Sequence, residues 1–584
     1  MVKAMKNSNK ILFLSLFFIL FMSISAISAA DAAGNDNITS DINKNDEILT
    51  LEETDLDDSS DKISSSQENA LSDANPMSYD DFYDKVLKNS KVNLNSDVIF
   101  TSEDTSRGVP INQFSEITID GKGHTIDLKG KSKLFIIPTG HTLILKDVNI
   151  KNAYDSSNAD GSILNSGTLK ITNCTFTNSK TKTSGGVITG GGSSTITNSK
   201  FNECSASDKG GVTFGNNVVL KNSTFTKCSA GNMGGAVFGS GVKIYDSTFV
   251  ENVAGCGGAV GGKAYIYNSN FKNCKSTKAK SAASSTDGGG ACSGEFPRVE
   301  GCTFTNCKAT NGGFGGALRG TTNVYDSKFI NCAAKQGGAI RGKGITSGCT
   351  FEKCVATTGM GGAIFTEKAT IDKCDFIECS ASKSNAGAVY LGNNAEISNS
   401  KFVKCSAPNG CGGAVYGNGV VNKCTFEKNS AKNGGAVSSY SLTVKSSTFT
   451  ANKAGRGGAA YNTKALISCK FNKNTATYGG AVFNGQTVTS CKFGDNSAKY
   501  GAVSYNNVNV VFKKAGIKNT LKIDQGLFYN NKKKLTLSGS KIVNTGKFGK
   551  YFNYNTGVFI YSKNTIQSSY KVKAIASPLN VKKN

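Results

Sequence analysis

Eighteen cysteines, two histidines and 42 acidic residues are the groups in this 584-residue chain that could ligate a metal, form a covalent intermediate or move a proton. Three cysteine pairs, Cys302/Cys307, Cys349/Cys354 and Cys374/Cys379, share a Cys-x-Phe-x-x-Cys spacing that would suit zinc or an iron–sulfur cluster. No histidine accompanies them, and the Phe between is of a type that is buried, so no metal or cofactor is expected. Polysaccharide cleavage would need carboxylates gathered on one face, as an acid/base pair or a calcium site. Asp246 and Asp326 share a position three residues before a Phe, but elsewhere Asn or Gly mostly fills it, which reads as a turn. Glu295, Glu300, Glu367 and Glu396 share no position, and His124 and His141 stand apart from the regular pattern. No Ser-His-Asp set or phosphate loop appears, and an enzyme is not expected. A third chemistry is better represented. Arg319, Arg341, Phe365, Tyr390, Tyr416, Tyr461 and Phe483 all lie two residues after the Ala of a Gly-Gly-Ala or close variant. Aromatic faces stack on sugar rings and a guanidinium pairs with carboxylate or sulfate, so this set is the candidate ligand-binding ladder.

What positions such a set is a repeat. Fourteen Phe residues, from Phe176 to Phe493, recur at separations of 22 to 26, with one interval of 33 between Phe271 and Phe304. Asn or Cys follows nearly all of them three residues later, and Gly-Gly-Ala precedes most, as in GGAVYGNGVVNKCTFEKNSAKNGGAV at 412–437. One unit of about 22 residues cannot bury its own apolar stripe, whereas stacked units pair backbones above and below. The predicted fold is therefore all-β, a parallel β-helix of about 14–17 coils. The glycines supply a corner of close backbone approach. Phe and the Val/Ile after Gly-Gly-Ala point inward, Asn stacks as a hydrogen-bonded ladder, and the ladder residue beside Val/Ile points outward. Regular repeats occupy 168–505 within a β-helix spanning 77–507, and 91–170 reads as further coils lacking the glycine signature.

The ends differ from the body. Residues 1–30 carry three lysines, an apolar run (ILFLSLFFILFM) and small residues, the order of a secretory signal. Residues 31–76 are an acidic spacer with a net charge of −11 and too little apolar surface to fold. The pattern SYDDFYDKVLKNS (78–90) predicts a short helix N-capped by Ser78, with Phe82 and Val86 against the open end of the solenoid. Residues 508–584, with 15 lysines and one acid, form a β cap or a basic docking module. The 33-residue interval marks 275–289 as a protruding loop.

Gly-Gly-Ala-Ile/Val paired with Phe-x-x-Asn resembles the repeats of chlamydial polymorphic outer-membrane proteins. With ITIDGKGHTID (117–127), the NCTF segment at 173–176 and a Lys/Asn-rich composition, the chain looks even more like the adhesin-like proteins of methanogenic archaea. The likeness covers about 100–505 and implies a right-handed parallel β-helix at the cell surface, with a role in adhesion. It departs from the chlamydial pattern in having no C-terminal membrane barrel, and from larger archaeal relatives in having no wall-binding repeats. The body's strong positive charge favours acidic glycans, cell-wall polymers or other cell surfaces as partners. Nucleic acid is disfavoured by export and by the lack of an Arg-aromatic motif, and no membrane-spanning segment is expected after signal cleavage. The expected function is a secreted or cell-surface adhesin-like rod. The alternatives are an envelope or stalk scaffold without ligand and, last, a β-helix lyase or glycoside hydrolase.

Eighteen cysteines in an exported chain invite a disulfide framework, but their phase points to structural slots. Eight replace the ladder Asn: Cys204, Cys228, Cys274, Cys307, Cys332, Cys354, Cys379 and Cys405. Seven others lie two residues before the Phe, and Cys256, Cys292 and Cys411 lie at the corner. Stacked Cβ atoms would sit about 4.8 Å apart, longer than the disulfide norm of about 3.8 Å, so an inert ladder is expected.

Overall fold

The computed structural model describes residues 75–154, 161–277, 287–547, 552–569 and 581–583. The signal expected at 1–30, the acidic spacer expected at 31–76 except its last two residues, and most of the loop expected at 275–289 lie outside them. Almost all the described residues belong to a parallel β-solenoid built from three sheets, the largest with 32 strands and the others with 21 and 14. One coil runs through Val415–Asn422, Thr425–Glu427 and Ser430–Asn433, then turns at Gly434 and Gly435 to begin the next. There are about 20 turns rather than the expected 14–17. At about 4.8 Å per turn the stack is on the order of 100 Å long.

The difference in coil number has a simple cause. The Phe column is continuous from Phe176 to Phe493, with ring centroids 4.6–5.1 Å apart and planes within 2–9°. It is extended by isoleucine at both ends. Ile126 and Ile150 precede Phe176 in register, and Ile517, Ile542 and Ile566 follow Phe493. Strands therefore continue to pair in parallel beyond Val508, where no Phe anchors the pattern. Across the 33-residue interval Phe271 still pairs with Phe304, and Lys275 with Lys308, so the insertion leaves the stack unbroken.

Each Phe strand is flanked by two left-handed turn residues. Asp246, Asn268, Asp326 and Asn399 hold φ of 47–50° three residues before the Phe, and Lys227, Asn306, Lys404 and Lys428 hold 53–55° two residues after it. Inside these turns run two polar ladders. Asn452 Nδ2 donates to the Phe426 carbonyl (3.0 Å) and to Asn474 Oδ1 (2.9 Å), while its own Oδ1 accepts from the backbone and side chain of Asn429, both at 3.0 Å. Two residues before the Phe, serine hydroxyls do similar work: the N–H groups of Cys174, Ser199 and Ser223 donate to Ser199, Ser223 and Ser247 Oγ. An unpaired buried amide is costly, and these ladders supply its partner in a turn where no strand can.

At the other end of the chain order, a helix spans Tyr79–Lys88. Ser78 Oγ accepts from the Asp81 N–H at 3.1 Å, and Tyr79, Phe82 and Val86 are buried in the apolar core shared with the first coils. The glycine pair divides its labour. Gly434 has φ of +63°, left-handed backbone that an L side chain rarely adopts, whereas a Cβ on Gly435 would stand 2.1 Å from the Gly458 carbonyl oxygen. One glycine is needed for conformation and the other for space.

Asn452→Ala should cost about 1–3 kcal/mol, because it orphans the buried N–H of Asn429. Chemical denaturation and hydrogen exchange at Asn429 would show it, with faster exchange at that amide; unchanged exchange would mean that the ladder contributes nothing there.

Candidate functional site

The corner made by the twin glycines has two sides. On one stands the residue two after Gly-Gly-Ala; on the other stands the residue just before the glycines. Val415, Val437 and Ile340, the neighbours of the ladder positions, are 0–3% exposed, so the ladder residues point away from the core. Strand register places Arg319, Arg341, Phe365, Tyr390, Tyr416, Ser438, Tyr461 and Phe483 in one column, one per coil. All seven candidate residues are thus brought together. They do not form a flat open face: Phe365 and Phe483 are only 8% and 4% exposed, because the opposite side of the corner covers them.

That opposite side holds residues not singled out from sequence. Phe314, Tyr478 and Tyr500 immediately precede the corner glycines, and each faces the ladder residue of the next coil. Tyr478 meets Tyr505 at 5.3 Å and Tyr500 meets Tyr529 at 5.5 Å, both edge-on at 81°. Tyr505, Tyr529 and Tyr554 extend the ladder, stacked in register after Phe483 at 4.6–5.1 Å. Phe214, stacked on Phe238 at 5.7 Å, extends it the other way. The signal for Phe214 was present, since GGVTF keeps the spacing with Val in place of Ala. For Tyr529 and Tyr554 the glycine pair is degraded and nothing local marks the phase.

The two arginines are the unusual part of the seam. Arg341 is sandwiched between the rings of Phe314 (4.2 Å) and Phe365 (4.3 Å), and Arg319 stands 5.7 Å from Phe314. Arg319 Nη1 reaches the Arg341 carbonyl at 3.5 Å. Arg319 Nε and Arg341 Nη1 are buried without a hydrogen-bond partner, and among the described residues neither guanidinium pairs with a carboxylate. Burial pushes the Arg319 guanidinium down; burial, with the repulsion of Arg319, pushes Arg341 down to about 10. Both effects disfavour the charged form, and a bound anion would oppose both.

The other groups considered for chemistry are dispersed. Asp246 and Asp326 occupy left-handed turns, Glu295 faces Lys263 at 3.2 Å, and Glu367 faces Lys343 at 3.4 Å. His124 Nδ1 lies 3.4 Å from Asp97, and His141 Nδ1 donates to the Phe114 carbonyl at 3.0 Å. All eighteen cysteines are in the thiol form rather than in disulfides, with only Cys411 partly exposed. In the ladder slot, Cys405 Sγ points at the Phe376 carbonyl (3.4 Å) just as Asn429 Nδ2 points at that of Phe402 (3.0 Å). Cys302 instead directs its sulfur at the Ile266 and Glu300 carbonyls, in a different column from Cys307. Burial raises the thiols of Cys302 and Cys424 to about 12 and that of Cys174 to about 11.

Compared with known proteins, the chain matches no family model and no curated protein.

A thiol-reactive dye applied to the native protein at pH 8 should report at most one fast cysteine, Cys411, and all eighteen after denaturation. Several fast thiols in the native state would contradict a sealed ladder.

Proposed function

We propose that this chain is an exported, cell-surface adhesin-like protein, a stiff β-helix rod that attaches through its corner seam to acidic glycans of a cell envelope or another cell surface. One observation carries the reading: two half-buried guanidiniums stand in adjacent coils, with no carboxylate paired to either, beside a column of outward aromatic rings. Taking like charges out of water side by side costs free energy. The cation–π contacts from Phe314 and Phe365 offset part of that cost. A uronate or sulfate bridging Arg319 and Arg341 would offset more, while adjoining sugar rings would lie along the partly exposed rings of Tyr390 and Tyr416. The proposed role is attachment without chemical turnover: Glu295 and Glu367 near the seam are engaged with lysines, and the buried Asp287 lies close enough to Arg319 to favour its charged form.

A scaffold without ligand is the second reading, and the unbroken Phe column favours it, because that column would stiffen a stalk equally well. Binding separates the two. The full chain bearing Arg319→Ala with Arg341→Ala should lose about tenfold or more in affinity for polyuronate or sulfated glycan, the worth of one charge-assisted contact. Its thermal midpoint should hold or rise, because unpaired buried charge has been removed. Undiminished attachment would sink the Arg pair as the clamp, and no binding to glycans or whole cells by the parent protein would leave the scaffold.

A further inference from the structure

Midway along the seam the column of large side chains is interrupted. Between Phe238 and Arg319 the two intervening coils carry Gly261 and Ser293. An open recess of about 760 Å³ lies beside this gap, within the usual range of about 300–1,000 Å³ for small-ligand sites. Its floor is bare backbone. Gly239, Gly262 and Gly294 stack in register, and a Cβ on Gly262 or Gly294 would stand 2.2 or 1.9 Å from the carbonyl oxygen of the glycine in the coil before. One wall is apolar, made by the parallel rings of Phe214 and Phe238 with Met233. The other wall is polar, with Ser240 and the Lys263–Glu295 pair presenting both donors and acceptors.

We infer that this recess is a second binding subsite, and that its occupant is a neutral hexose unit. A pyranose ring has one C–H face suited to Phe238 and a rim of hydroxyls that both donate and accept, which fits one apolar wall facing one wall of mixed polarity. A flat glycine floor admits the ring without a side chain beneath it. An acidic unit gains little here, because Glu295 stands on the rim paired with Lys263, and Lys209, 5.2 Å from the Phe238 ring, already has Asp208 at 3.9 Å. Gly261 lies two coils from Arg319, on the order of 10 Å, so a single chain could place a neutral unit in the recess and an acidic one at the arginines. The inference deepens the adhesin reading and rests on it for the nature of the polymer.

Gly261 provides the test. Its backbone is outside the left-handed region, and a Cβ there would stand 2.9 Å from Phe238 Cδ2, 3.1 Å from the Gly234 backbone nitrogen and 3.3 Å from Met233 Cβ, so the Phe238 ring must shift slightly to admit it. Gly261→Phe therefore continues the Phe214–Phe238 stack across the gap, as Phe365, Tyr390 and Tyr416 do in other coils. Phe238→Ser removes the platform instead, using a residue the column already accepts at Ser293 and Ser438. The full chain and both variants are titrated with neutral tetramers of glucose, galactose and mannose in α and β linkage, with thermal melts to confirm folding. At least one tetramer should bind the parent protein and lose about tenfold or more in each folded variant, the value of one ring contact with its exclusion of water. The Arg319→Ala/Arg341→Ala protein should keep that binding. No neutral tetramer bound by the parent, or full affinity retained in Phe238→Ser, overturns the recess. Loss of neutral binding in the arginine variant overturns the assignment of a separate subsite. Failure of acidic glycans to bind the parent refutes the arginine clamp instead, and leaves the neutral result standing, so the two failures are distinct.

Discussion

A side chain in a parallel solenoid has to be stable beside its counterpart in the next coil, about 4.8 Å away. This in-register stacking is the constraint on which the rest of the molecule depends. Phenylalanine meets it by offset stacking, with rings 4.6–5.1 Å apart. Asparagine meets it because its amide is self-complementary: Asn429, Asn452 and Asn474 each donate to the amide oxygen of the next Asn, the run ending at Asn496. Serine and cysteine meet it by being small and by pointing a weak or strong donor at a carbonyl. A buried column of carboxylates or ammonium groups cannot meet it, since each rung would repel the next. Charged residues accordingly lie mostly on the outward side of strands and in turns, where opposite signs in neighbouring coils, such as Glu378 and Lys404 at 3.0 Å, sit together at little gain or cost.

Against that rule the arginines of the seam are an exception. Arg319 and Arg341 stack in register, half-buried, with the same charge. Phe314 and Phe365 hold the Arg341 guanidinium between their faces, which fixes its plane and leaves its edge to make hydrogen bonds. Planar, pre-ordered and short of acceptors, it is matched to a bidentate anion. The effective desolvation cost of a buried ion is several kcal/mol, and an exposed cation–π contact recovers only about 0.5–1 kcal/mol. In the proposed role, that imbalance would give an incoming anion its driving force.

The sequence made the coil legible because core slots must repeat: Phe, the Val or Ile after the glycines, and Asn or Cys recur at fixed phase, and the strands follow from them. It hid the coil wherever a slot accepts a second residue of similar shape. Isoleucine for Phe at Ile517, Ile542 and Ile566 concealed the coils beyond 508, and the serine ladder went unread because Ser223 and Ser247 look like ordinary turn residues. For the seam, outward parity followed from strand alternation, so Arg319 through Phe483 could be placed in one column. The facing wall could not. Phe314, Tyr478 and Tyr500 belong to another sheet, and only the angle of the glycine corner brings them across. The recess was likewise invisible, being made by side chains that are missing at Gly261 and Ser293.

The contrast between core and seam has a consequence for recognition. Core positions are held to one or two residue types by their neighbours above and below, so they carry no information about a ligand. A seam position faces away from the core, and its neighbour contacts range from close stacking of Tyr505 on Tyr529 (5°) to 29° tilts between Tyr390 and Tyr416 and between Tyr461 and Phe483. It can therefore differ from coil to coil without disturbing the stack. The seam reads aromatic at Phe214 and Phe238, small at Gly261 and Ser293, cationic at Arg319 and Arg341, aromatic from Phe365 to Tyr416, small at Ser438, and aromatic again from Tyr461 to Tyr554. A uniform column would favour a uniform polymer in any register. A column that changes character along its length favours one alignment of a ligand whose own units differ, and a rigid rod keeps those subsites at fixed spacing.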